Sequence, residues 1–166
     1  LFGLAMLNET SFTGSLLHIG AHASIKCTLF LCAGAIIYKT GCTRVDELKG
    51  IGKRMPITMW CYTFASLALI GIPPTGGFIS KWYLAVGSLG AGVQVLSILG
   101  VVVLLISALL TAGYLLPITI DGFLPGEGYE EKEKCEAPLS MLIPMVILTI
   151  LAVGIGVCPQ LLVNIF

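Results

Sequence analysis

The chain has 166 residues, 57% of them hydrophobic and only 11% charged, where a soluble domain is about a quarter charged. Its mean hydropathy is +0.99, and nine basic residues balance nine acidic ones. That composition excludes a soluble globular domain, gives no footing for nucleic-acid binding, and predicts an all-α integral membrane protein.

The opening LFGLAMLNETSF lacks the basic region and initiator Met of a signal peptide. It reads as a fragment, or a partial gene product, that begins inside a helix: Leu1–Leu7 as a helix tail, NETSFTG as a polar connector. Ser15 to Tyr38 is the first full span, its 24 residues rising about 36 Å against a hydrocarbon core of about 30 Å. The loop KTGCTRVDELKGIGKRMP follows. Ile57 to Leu89 reads as one span broken at 73–77, because Ile57–Ile72 and Phe78–Leu89 are each too short to cross alone. Irregular backbone at membrane depth is tolerated only where protein or a water-filled cavity surrounds it, and paired half-helices point to ion sites in transporters. Ala91 to Leu116 is the next span, an acidic Pro/Gly-containing loop covers 117–137, and Leu139 to Val157 is the last, with CPQLLVNIF leaving it at the far interface. The 166 residues therefore form a single transmembrane region.

Five Lys/Arg between Lys39 and Arg54 place loop 39–56 in the cytoplasm. Counting spans puts loop 117–137 there too. The segment Ser88–Gly92 and the C-terminus carry no basic residue, in agreement.

Of the nine Lys/Arg, only Lys26 and Lys81 fall inside spans, and no acidic residue does. A charge at a helix centre costs roughly 2.5–3.5 kcal/mol on insertion scales, so each needs a reason. His18, His22 and Lys26 recur every fourth residue, each offset by about 40° and about 6 Å along the axis, so they line one stripe. Imidazole passes protons near neutral pH, and a lysine in a low-dielectric site can load and unload one. Bridged by water, with Ser24 and Thr28 as further water ligands, the stripe forms a proton ladder. In the alternative, the histidines only hydrogen-bond between helices and Lys26 snorkels to an interface. Lys81 follows the break GIPPTGGFISKW. Pro73 and Pro74 are expected to end the first half-helix, Gly76 and Gly77 to turn the backbone, and the freed carbonyls to hold water or the ammonium. The alternative is an interfacial lysine beside an ordinary loop.

The six cysteines form no C-x-x-C and no Cys/His spacing of a zinc or iron–sulfur site. No haem-ligand pattern or nucleotide loop is present, so no cofactor, no metal and no redox chemistry of its own are expected.

The run H-x3-HAxxK-xx-LF-xxxG-xI, then L-x-G-x-G-K-R-M-P, then ASL-x-L-x-GIPPTGGFISKW resembles the antiporter-like, proton-translocating membrane subunits of respiratory complex I. The family also takes in multisubunit cation/proton antiporters and energy-converting hydrogenases. The resemblance runs through essentially the whole chain. It implies a transmembrane bundle that is part of an inverted-repeat transporter fold: the second half-channel and one trailing helix. The first half-channel, with its glutamate–lysine pair, has no counterpart in this stretch, which alone should not pump. By resemblance Lys26 is the central protonatable site, His18 and His22 the relay, and Lys81 the gate toward the outer face. One complex I paralogue has glutamate at the position of Lys81, so lysine argues against that branch. The implied function is proton translocation in a redox-driven complex of the NADH:quinone oxidoreductase or hydrogenase type. The alternatives are a sodium/proton antiporter subunit and a structural membrane scaffold. The implied partners are other membrane subunits, the lipid bilayer and protons (or sodium). The implied location is the cell inner membrane or another energy-transducing membrane.

Overall fold

A computed structural model describes residues 2–90, 92, 94–126 and 133–160. The expected start of the third span at Ala91, the acidic run 127–132, and the exit segment beyond Gln160 lie outside the described residues. After a short helix α1 (Phe2–Ala5), the long helix α2 runs from Glu9 to Thr40. It starts six residues before the expected Ser15. Asn8 is its N-cap, the side-chain oxygen accepting from Ser11 N at 2.8 Å, and Glu9 complements the positive end of the dipole. Gly41, at φ +71°, closes the far end by donating to Ile37 O. The basic loop holds a 3-10 turn, Val45–Leu48, and a one-turn helix α3, Ile51–Arg54.

Next come α4 (Pro56–Ile70) and α5 (Gly76–Leu89), then α6 (Gln94–Phe123) and α7 (Leu139–Val157). Helices α2, α6 and α7 are long and apolar enough to cross a membrane; α4, at 15 residues, is not. Together α4 and α5 run antiparallel to α2 along its length. Thr58 O meets Cys32 Sγ, Ala65 and Ala68 share a core with Ala21 and Ile25, Ser80 meets His18, and Gly87 O accepts from the Asn8 side chain. The two half-helices thus make one discontinuous helix, and the architecture is the expected all-α membrane bundle.

The break covers residues 71–75, not 73–77. Gly71, not a proline, ends α4: at φ +93° it is left-handed, and the amides of Gly71 and Ile72 both return to Leu67 O. Pro73 and Pro74, joined by a cis peptide bond, fill the turn already begun. Gly76 and Gly77 make no turn. They open α5, and their small size lets backbones touch. A Cβ on Gly76 would meet Ala152 O at 3.0 Å and Ile155 at 2.9 Å, and one on Gly77 would overlap Ala68 O. Gly156 of α7 faces the break in the same way, against Pro74 O and Thr75.

Helix α6 also differs from expectation: it continues through Pro117 to Phe123, so 117–123 is not loop. Tertiary contacts hold the extra turns. Gly50 N donates to Asp121 O at 2.9 Å, and Gly122 packs against Met59 and Ile51. The basic loop and the segment before α7 meet there too, through Cys135 N to Arg54 O at 2.9 Å, so both lie at one end of the bundle. Most of α6 faces outward, with Leu99, Val103, Ile106 and Leu110 exposed.

Gly156→Val would force α7 off the break. It should lower the melting temperature or the yield of the assembled protein, at an overpacking cost of about 1–3 kcal/mol. Gly154→Val, where no atom lies within 4 Å, should leave both unchanged.

Candidate functional site

A helix C-terminus leaves its last four carbonyls without intrahelical partners. In α4 these are Leu67, Ala68, Leu69 and Ile70. Leu67 O takes the amides of Gly71 and Ile72, and Ala68 O lies against Gly77. The last two belong to Lys81, whose Nζ donates to Leu69 O at 3.0 Å and to Ile70 O at 2.8 Å. Helix α5 presents this side chain from its second turn, so the ammonium sits at the negative end of the α4 dipole. The expectation that freed carbonyls interact with the ammonium is met in these two bonds. Gly71 also gives the lysine room: a Cβ there would lie 3.1 Å from Lys81 Cδ and 3.4 Å from Nζ. An ammonium has three donors. Two are used here, and the third has no partner among the described residues.

The neighbouring residue, Ser80, was not singled out by the sequence. It is fully buried, and its hydroxyl lies 2.9 Å from His18 Nδ1 and 3.1 Å from Gly77 O. A hydroxyl donates once. When Ser80 donates to Gly77 O, His18 must present Nδ1–H to it, which leaves Nε2 as the acceptor. His18 and His22 stack with centroids 5.5 Å apart and planes 23° from parallel, so the fourfold spacing does align them. Lys26 is half-buried one turn further on, but no direct hydrogen bond joins it to His22 or to Lys81 among the described residues. Ser24 and Thr28 are buried, and their hydroxyls donate to Gly20 O and Ser24 O one turn back. Those donors serve the helix, and the hydroxyl oxygens keep their acceptor lone pairs. Among the described residues no three His, Cys, Asp or Glu side chains converge as a metal site, and the six cysteines are free.

Residues 1–107 match the family described as NADH:quinone oxidoreductase/Mrp antiporter, transmembrane. The chain belongs to that family. Over 98% of its length it is 39% identical to NADH-quinone oxidoreductase subunit N of Desulforudis audaxviator, of which it covers 34%. Over 94% of its length it is 31% identical to an Na(+)/H(+) antiporter subunit of Bacillus subtilis, of which it covers 31%. The chain thus spans about a third of these relatives. In fold it is similar to a chain of the Mrp complex of a Dietzia species, with a TM-score of 0.78 at 24% identity, covering 96% of this chain and 37% of that one. The family assignment agrees with the motifs around His18–Lys26 and Gly71–Trp82, and the neighbour agrees with the discontinuous bundle.

Gly71→Ala should destabilise the protein by about 1–2 kcal/mol for the left-handed backbone alone, and by more because it displaces Lys81. Gly41→Ala carries the same backbone cost with nothing within 4 Å of the added methyl. Thermal melting in detergent should therefore rank Gly71→Ala below Gly41→Ala.

Proposed function

We propose that this chain is the proton-translocating part of an antiporter-like membrane subunit in a redox-driven complex. One observation carries the reading: a lysine at a helix break, held by two carbonyls at 2.8 and 3.0 Å, beside a serine bonded to the first of two stacked histidines. Lys81 exchanges protons at the break. Its ammonium form is anchored by the α4 carbonyls, and its flexible stem lets the amine leave them. His18 and His22 form the relay, and Lys26 is the central site beyond them, with water completing the path. The two carbonyl bonds offset the cost of a lysine inside a span, and flux in Lys81 variants separates proton exchange from a scaffold role. No redox step belongs to these residues.

The greater likeness to the oxidoreductase subunit, 39% identity against 31% for the antiporter subunit, favours the redox-driven complex. The second relative supports a second reading, sodium/proton exchange on the same scaffold. The bundle end that carries the basic loop and the segment before α7 faces the cytoplasm, on the strength of five Lys/Arg between Lys39 and Arg54. The exposed apolar face of α6 meets lipid or other membrane subunits.

The test is proton flux in vesicles carrying the whole complex, normalised to assembled subunit. Lys81→Met and Lys26→Ala should each lower flux roughly tenfold or more. Lys81→Arg should fail equally, because guanidinium keeps its proton. His18→Ala should cost less, since water can stand in for a relay group. Full flux in Lys81→Met would establish the scaffold role instead. Full flux in Lys81→Arg would make Lys81 a fixed charge. A turnover that depends on sodium would select the antiporter reading.

A further inference from the structure

Glu136 lies between α6 and α7 and has no part in the proton path above. Its carboxylate accepts from Ile57 N at 2.9 Å, Thr58 N at 3.4 Å and Thr58 Oγ1 at 2.6 Å, and from Ala137 N at 3.3 Å. Ile57 and Thr58 are the second and third residues of α4. The first, Pro56, has no amide to satisfy, and the N-cap residue, Met55, offers no side-chain acceptor. Glu136 therefore caps α4 from another element, and the adjacent bond from Cys135 N to Arg54 O ties the same segment to the chain just before the helix. A carboxylate from one loop closes the positive end of α4, and the Lys81 ammonium from α5 closes its negative end.

The two half-helices meet at Ala68–Gly77 and at Lys81, and each also has anchors of its own. Helix α5 is fixed against α2 through Gly14, where a Cβ would lie 2.9 Å from Leu84 N, and against α7 through Gly76. Helix α4 packs along its length through buried Met59, Ala65 and Ala68, and the Glu136 cap adds the polar hold on its first turn. A slip of one residue would move the Leu69 and Ile70 carbonyls about 1.5 Å, more than a hydrogen bond to Nζ tolerates. We propose that Glu136 is a positioning residue for Lys81. By holding the first turn of α4, it helps set where the two carbonyls meet the ammonium, about 18 Å further along the 15-residue helix. This inference rests on the reading of Lys81 as a proton carrier.

The test uses the full-length protein in its complex, with flux per assembled complex as the readout. Glu136→Ala should lower flux on the order of tenfold, the scale of a lost N-cap. Glu136→Gln, whose side-chain carbonyl still accepts from Ile57 and Thr58, should restore it to within about threefold. Thr58→Val removes the 2.6 Å bond while keeping the carboxylate, and should cost about threefold; it decides the matter if Glu136→Ala does not assemble. Unchanged flux in Glu136→Ala or in Thr58→Val overturns the positioning role, and so does a Glu136→Gln complex as slow as Glu136→Ala. If Lys81→Met is inactive while Glu136→Ala is normal, only this inference falls. If Lys81→Met is fully active, the proton-carrier reading falls and this one with it.

Discussion

The Lys81 ammonium on the last carbonyls of α4 is the contact on which the rest of the arrangement turns. A helix that stops inside a membrane leaves polar groups that no solvent can satisfy, and a lysine at the same depth has a charge that no solvent can spread. Each resolves the other's cost. The discontinuous helix therefore depends on the charge as much as the charge depends on the break. The glycines follow from this: Gly71 frees the carbonyls and clears space for the side chain, while Gly76 and Gly156 let α7 close over the turn.

The membrane class, the bundle of helices and the existence of a break were legible because each is written in composition or in the lengths of apolar runs. So was the stripe of His18, His22 and Lys26, a matter of helical period alone. The limits of the break were misjudged because Pro–Pro is the louder local signal, whereas the deciding residue is a single left-handed glycine two positions earlier. Pro117 likewise looked like a terminus, and contacts with Gly50, Met59 and Ile51 carry the helix past it. Ser80 and Glu136 were invisible for a different reason. Their partners are 62 and 79 residues away, and nothing in a serine or a loop glutamate announces a distant helix end.

The aligned ladder is less uniform than its spacing implies. Near the break, Ser80 bonds His18, which stacks on His22, while the Lys81 ammonium bonds the Leu69 and Ile70 carbonyls. The end at Lys26 has no direct hydrogen bond to His22 or to Lys81 among the described residues, and there the buried hydroxyls of Ser24 and Thr28 point back into their own helix.

Backbone contacts through glycine have a mechanical consequence. Helix α5 touches α7 at Gly76 and α2 at Gly14 and Gly87, where backbone atoms and the side chains of Ile155, Tyr83 and Ser11 lie too close for an added methyl. Joints packed this closely leave little room for sliding. Clamped near both ends, α5 behaves as a fixed post, and the part with the most freedom at the break is the four-carbon tether of Lys81 itself. Under the proposed function, the travelling component of the site is then a side chain a few ångströms long, carried on a closely packed frame.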